Sequence, residues 1–373
     1  MNERGTLRPI DYQALLAASG PFASVYLDDS RDTGDAESML HQRWLDLRER
    51  LEHAGADEVL QRQVQRAVLQ SVPAVGRQGR VVIATPDEIV INEHLECPPA
   101  ESIARVSEYP FLVPAVELSR RPPPYLFAAV DHQGADITLH GDGITRTETV
   151  DGEGHRVHKP VTAGWNGYGD LQHTVEEAVR KNVRAVAERI TELVDSGAPE
   201  IVFVCGEVRS RTDVVSALPD RVAKRVSQLH AGAQGHRVRE PEVARMMSAE
   251  FERHRTARVA ESTDRFTSEM RRGSGLAVEG LARVCDALRA GNVATLLIGD
   301  LRDATVVTGR DLATIAQDAD ALSELGSAPY RVVRADEALP FAALAVAASL
   351  LRADVSAADG IGALLRFPVT EEG

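Results

Sequence analysis

Lysine is almost absent from this chain: among 373 residues only Lys159, Lys181 and Lys224 occur. The formal net charge of −14 argues against a protein that coats nucleic acid over its whole surface, because such binding rests on cations neutralising phosphates. Any RNA contact must therefore be local. Cysteine is equally scarce: Cys97, Cys205 and Cys285 are odd in number and far apart, which fits neither a disulfide framework nor a zinc spacing. Cys205, inside IVFVCG, reads as a buried strand residue. The longest apolar stretch, Leu339 to Leu351, falls short of the roughly 20 residues that cross a bilayer. The opening MNERGTLRPIDY lacks the basic-then-apolar pattern of a secretion signal. A cytoplasmic protein without membrane contact is the expectation.

A hydrophobic content of 43% beside 26% charged residues is that of a globular chain, and its length calls for two or three domains. The alternation of strand and helix patterns predicts an α/β fold in three domains, 1–121, 122–235 and 236–373. In the first, FASVYL and the runs RVVIA and EIVIN read as strands. Trp44, Leu45, Leu47 and Leu51 mark one helix, and Val59, Leu60, Val64, Ala67 and Val68 a second. RRPPP at Arg120 to Pro124 is a stiff linker.

The second domain opens with YLFAAVD and a meander through ADITLH and GITRTETV, turning at Gly141 to Gly143. Apolar residues at Leu171, Val175, Val179, Val183, Val186, Ile190 and Leu193 then predict a long amphipathic helix, with Asp170 or Thr174 as its cap. In the third, helices are expected at Pro241 to Met270, Leu276 to Leu288, Leu312 to Leu322 and Leu339 to Leu351, with strands at VATLLIG, YRVV and ALLRFPV.

Between the meander and the long helix lies a stretch without regular period, 151–170, containing GWNGYGDLQH from Gly164 to His173. Loops of that length inside a domain are usually functional or disordered. His155, His158, His173 and Asp170 surround it, but no HExxH or cysteine partner supports a metal site. Its glycines fit neither a P-loop nor a dinucleotide fingerprint, and the chain has no GxSxG elbow. Glu207, after IVFVCG, stands where α/β sheets often bind ligands, or simply at a solvated helix N-terminus.

The loop itself suits RNA. Trp165 and Tyr168 offer faces for unpaired bases, Asn166 can read an edge, and Gly164, Gly167 and Gly169 permit close backbone approach. Arg180, Lys181 and Arg184 follow as a cationic stripe, within a wider group holding Arg209, Arg211, Arg221, Lys224 and Arg225. A structural turn or a protein-binding finger explains the aromatics equally, and genomic base bias explains the preference for arginine.

The stretch GWNGYGDLQHTVEEAVRKNVRAVAERI resembles the middle domain of archaeo-eukaryotic class I release factors and Pelota, where a glycine-rich loop precedes a basic helix. SGLAVEGLARVCDALRAGNVATLLI and DGIGALLRF resemble segments of their third domain. Through PFASVYLDDS, PAVGRQGR and NEHL as well, the chain resembles the mycobacterial members of the Balon family of ribosome hibernation factors. That resemblance implies release-factor-like middle and C-terminal domains, occupancy of the ribosomal A site with contacts to rRNA of both subunits, and elongation factor EF-Tu as a partner. No DNA target, no cofactor and no metal are expected. Release factors carry Gly-Gly-Gln in the loop; Gly167, Tyr168 and Gly169 stand in the corresponding place, and Gln172 lies five residues past Gly167. Peptidyl-tRNA hydrolysis is therefore disfavoured, and a non-enzymatic binding factor is expected. A release or rescue factor that hydrolyses peptidyl-tRNA, or a metal-dependent RNA nuclease, is the alternative.

Overall fold

A computed structural model describes residues 12–32, 34–72, 74, 76–118, 122–141, 144–151, 168–230, 240–310 and 314–369, with backbone only at 12–13, 144, 151, 168–176 and 240. Two compact units emerge, residues 121–255 and the combination of 1–120 with 256–373.

The N-terminal segment runs α1 (Tyr12–Ala17), β1 (Phe22–Asp28), α2 (Ala36–His53), α3 (Glu58–Leu69), β2 (Gly79–Ala84), β3 (Ile89–Leu95), β4 (Ile103–Ser107) and α4 (Val113–Leu118). Its antiparallel sheet has the order β3-β2-β1-β4. Leu40, Trp44, Leu47 and Leu51 recur every three or four positions along α2 and pack, with Leu60, Val64, Ala67 and Val68 of α3, against Val25, Leu27 and Val82. Leu45 and Val59, counted in the sequence pattern, fall outside the stripe and are exposed. Asp57 caps α3 by accepting from the N–H of Leu60 at 2.8 Å.

One end of this sheet holds a buried polar cluster. Arg80 donates through Nε and Nη2 to Asp29 Oδ2, at 2.8 and 2.6 Å, and through Nη1 to Asn92 Oδ1 at 3.0 Å. His94 Nε2 lies 2.7 Å from Arg80 Nη2 and 3.4 Å from Asp29 Oδ2. Thus the sequence stretches DDS, GRQGR and NEHL meet at one point.

The middle unit is built from β5 (Tyr125–Val130), β6 (Gly134–Gly141), β7 (Ile144–Asp151), α5 (Tyr168–Gly197), β8 (Ile201–Gly206), α6 (Val208–Ala217), α7 (Asp220–Ala223), β9 (Val226–Gln228) and the first part of α8 (Glu240–Arg272). The sheet order is β7-β6-β5-β8-β9, with β5, β8 and β9 parallel and the rest antiparallel. Alternation along the strands separates two cores. Leu126, Ala128, Val130, Val202 and Val204 meet Val186, Ala187, Ile190 and Leu193 of α5 and Val214 of α6. Ile201, Phe203 and Cys205, on the other face, meet Val243 and, with Tyr125 and Phe127, Met246, Met247 and Phe251 of α8. Buried on both faces, β8 reads as one continuous apolar run. Gly206 closes it at φ +128°, so near the Val130 carbonyl that a Cβ would stand 1.9 Å from its oxygen.

The rest of α8 leads into β10 (Ala277–Glu279), α9 (Leu281–Arg289), β11 (Val293–Ile298), β12 (Thr305–Thr308), β13 (Ile315–Ala316), α10 (Ala319–Glu324), β14 (Arg331–Arg334), α11 (Ala335–Ala345), β15 (Ser349–Arg352) and β16 (Ile361–Leu365). They form sheets ordered β10-β16-β11-β15 and β13-β12-β14. Arg105 of β4 donates to Asp336 and to Glu337 at 3.0 and 3.1 Å, Ser107 Oγ donates to Glu337 at 2.5 Å, and Tyr109 packs edge-on against Phe341. The first and last segments of the chain thereby share one body.

Three expectations fail here. The helix predicted over Leu276 to Leu288 is a strand followed by a helix, because Gly280 takes φ +82° and turns the chain between β10 and α9. The one predicted over Leu312 to Leu322 is β13 and the short α10, which begins where Asp318 accepts from the N–H of Ala321. Leu339 to Leu351 is also divided: α11 stops at Ala345, Ala347 turns at φ +53°, and Leu350 and Leu351 enter β15, parallel to β11. The proposed turn residues Asp142 and Gly143 lie outside the described residues.

Candidate nucleic-acid interface

The long helix forms where the apolar spacing requires, but it begins earlier than expected. Tyr168 and Gly169 are its first two residues rather than loop, so Asp170 and Thr174 lie within α5 and are not its caps. Glycine costs little there, since the first N–H groups of a helix have no intrahelical acceptor to lose. Gly164, Trp165, Asn166 and Gly167 lie outside the described residues, as do His155, His158 and Lys159. The side chains of Tyr168, Asp170, Gln172 and His173 also lie outside them.

Downstream, α5 divides by function. Val186, Ala187, Ile190 and Leu193 carry it into the core, with Val186, Ile190 and Leu193 each contributing about 1.5–3 kcal/mol on full burial. On its outer surface Arg180, Lys181 and Arg184 are exposed. Lys181 Nζ is 3.8 Å from Glu177 Oε1, a contact of little strength in water. Among the described residues Arg180 and Arg184 have no acidic partner within salt-bridge distance. Arg189, one turn further, is different: it donates to both oxygens of Glu148, at 2.5 and 2.8 Å, and to Glu192 at 2.7 Å. Hydrogen bonding by Arg189 outweighs desolvation and holds the Glu148 carboxyl below its usual range. The cationic face therefore ends before Arg189.

The wider basic group is not one patch. Arg211 is buried, donating to Gln228 Oε1 and the Leu229 carbonyl, which ties α6 to the end of β9. Arg221 pairs with Asp195 at 2.7 Å, Arg225 donates to the Pro199 carbonyl, and Arg209 lies 3.8 Å from Asp213. Lys224 is exposed. Glu207, at the carboxyl end of β8, makes no side-chain cap to α6; its Oε1 is 3.7 Å from His132 Nδ1.

One residue of this region escaped attention in the sequence. Asn182 is buried on the apolar side of α5, where it donates from Nδ2 to the His132 carbonyl at 3.2 Å. The signal was available: it stands three residues after Val179 and four before Val186, within the aliphatic stripe.

Elsewhere, a cavity of about 750 Å³ beyond the ends of β11 and β15 is lined by Asp300, Asp354 and Asp359 beside Arg302 and Ser356, a balance unsuited to phosphate. Among the described residues no cluster of three or more His, Cys, Asp or Glu side chains is placed to hold a metal ion. No helix among them is long and apolar enough to cross a membrane.

Comparison with known proteins falls on the same region. The model of the bacterial archaeo-eukaryotic release factor family 2 matches residues 124–272, which hold β5 to α8. Two proteins of Mycobacterium tuberculosis, the uncharacterized MT2704 (strain CDC 1551 / Oshkosh) and Rv2629 (strain ATCC 25618 / H37Rv), are each 54% identical over 358 residues. That alignment covers 95% of this chain and 96% of theirs. Among solved structures, archaeal Pelota in a model of its ribosome-bound state with ABCE1 is 15% identical, covering 98% of this chain and 96% of that one with a TM-score of 0.42. With identity above one half sustained along nearly the whole length of its relatives, the chain belongs to one family with these two mycobacterial proteins, and within it residues 124–272, which hold the middle unit and its basic helix, are of the bacterial archaeo-eukaryotic release factor family 2 type.

Proposed function

We propose that the protein is a ribosome-associated factor that binds the A site and silences or protects idle ribosomes, with elongation factor EF-Tu as a delivery partner and without hydrolysing peptidyl-tRNA. The observation that carries this reading is the exposed Arg180, Lys181 and Arg184 face of α5, directly after the glycine and aromatic segment, in a middle unit that matches a release-factor family model. Three cations on one helix face suit a phosphate backbone, and a net charge of −14 limits them to a local contact. Trp165, Asn166 and Tyr168 would meet ribosomal RNA by stacking and edge contacts, with Gly164, Gly167 and Gly169 admitting the backbone.

The proposal of binding without hydrolysis is supported by the composition of the same segment. The chain contains no Gly-Gly-Gln, and hydrolysis of the peptidyl ester needs a water held in position, where an error of about 1 Å can cost roughly a hundredfold. With Tyr168 and Gln172 both inside the range of α5, neither stands in a loop between glycines.

The reading is tested with Trp165→Ala and Tyr168→Ala in the full chain. Each is expected to weaken ribosome binding by about 1–3 kcal/mol, the value of one base stacked on an aromatic ring. Unchanged affinity in both variants would remove the segment from the contact.

A further inference from the structure

The inference rests on the reading above, in which the Tyr168 end of α5 is the part presented to RNA. Among the described side chains of α5, Asn182 is the first buried one: it is 7% exposed, whereas Glu177, Arg180 and Lys181 before it are open to solvent. Core contacts begin at the next residue, the half-buried Val183, and continue through Val186. Asn182 therefore stands where the helix enters the fold.

Its chemistry is out of keeping with its place. The stripe through Val179, Val186 and Ile190 calls for an aliphatic side chain, and a buried amide is costly unless it is bonded. Among the described residues Asn182 uses only its donor, toward the His132 carbonyl, and its buried Oδ1 has no hydrogen-bond partner. The acceptor it meets is rigidly held. Asp131 Oδ1 accepts from the N–H groups of Gln133 and Gly134 at 2.7 and 3.0 Å, and the Asp131 N–H donates back to the Gly134 carbonyl. This tight turn links β5 to β6 in the centre of the sheet.

We propose that Asn182 is a positioning residue: its bond to the His132 carbonyl fixes the angle at which α5 leaves the sheet, and so where the Tyr168 end is held. Fourteen residues separate Tyr168 from Asn182. At about 1.5 Å per residue the lever is about 21 Å long, and a tilt of roughly 10° at its base moves its end by about 4 Å. A packing role alone would be served by leucine, whereas a positioning role requires an N–H donor.

The test uses the full chain with Cys97→Ser and nitroxide labels at Gln172→Cys, near the start of α5, and at Thr147→Cys on β7. The interspin distance distribution is measured for the parent, Asn182→Leu and Asn182→Gln. Asn182→Leu is expected to shift or broaden the distribution by about 3 Å, the movement of a lever ten residues long under the same tilt, and Asn182→Gln to restore most of it. A leucine variant indistinguishable from the parent overturns the proposal. Unlabelled Asn182→Leu is also expected to bind ribosomes about tenfold more weakly than the natural chain; equal affinity with a displaced helix overturns the link to RNA contact. If the natural chain itself fails to bind ribosomes, the proposed function falls, while the distance distributions still decide whether Asn182 sets the helix.

Discussion

Replacing Arg80 by methionine keeps the unbranched apolar stem of the side chain and removes the guanidinium donors that hold the buried end of the N-terminal sheet. Five hydrogen bonds disappear: two to Asp29, one to Asn92 Oδ1, one to His94 Nε2 and one to the Val72 carbonyl at 2.8 Å. The Asp29 side chain is fully buried, so its charge is left with Arg31, whose Nε is 3.6 Å away, and His94. Breaking a buried ion pair from one side costs about 3–5 kcal/mol, and the remaining neighbours place Arg80→Met near the lower end of that range. Urea unfolding followed through Trp44, buried in this segment, measures the loss in a Trp165→Phe background.

The pH dependence supplies a second handle on the same cluster. In the natural chain burial raises the pKa of Asp29, but His94, Arg80 and Arg31 outweigh it and hold the carboxyl below its ordinary 3.8. A carboxyl whose pKa is lower in the folded state contributes stability above the unfolded value, and that stability is lost as pH falls through the folded one. Without Arg80 burial dominates, the pKa rises, and the protonated acid becomes acceptable to its site. The gap between Arg80→Met and the natural chain is therefore expected to narrow from pH 7 toward pH 4. Asp29→Asn combined with Arg80→Met is expected to lose less than Arg80→Met alone. A loss below about 1 kcal/mol at pH 7, or a gap independent of pH, would refute the reasoning.

Three further outcomes are expected. Alanine at Arg180, Lys181 or Arg184 should each reduce the slope of log affinity for ribosomes against log salt by about 0.7–0.9 in titrations from 50 to 200 mM, if each meets a phosphate. Burial holds the pKa of His140, stacked on Tyr125 at 4.5 Å, below its ordinary 6.5. The stability of the middle unit is thus fully present above about pH 6.5 and declines as pH falls through the folded value, a decline that calorimetry should find absent in His140→Phe. Gly206→Ala, with its Cβ driven against the Val130 carbonyl at φ +128°, should lower middle-unit stability by at least about 2 kcal/mol in denaturant unfolding.

What the sequence disclosed follows the range of the interactions involved. The stripe of α5 and the all-apolar β8 are local patterns, and both were legible. The break at Gly280 was not, because Leu276, Val278 and Leu281 are compatible with either period until the left-handed glycine divides them. Leu350 and Leu351 look helical beside their alanine neighbours, but pairing with β11 takes them into a strand, and that partner lies more than fifty residues away. The cluster of Asp29, Arg80 and His94 draws on three strands and has no local signature at all. At the candidate interface, the exposure of Arg180, Lys181 and Arg184 could be read from the helix period, whereas the commitment of Arg189 to Glu148 depends on the neighbouring strand β7.

The central claim is binding to ribosomes without chemistry, and its most direct test is co-sedimentation of the purified full chain with ribosomes carrying peptidyl-tRNA, with and without EF-Tu, with peptidyl-tRNA hydrolysis assayed on the same samples. The protein is expected in the ribosomal pellet with the peptidyl ester intact. Release of the peptide would contradict the claim and make the protein a hydrolase; absence from the pellet under both conditions would contradict ribosome association itself.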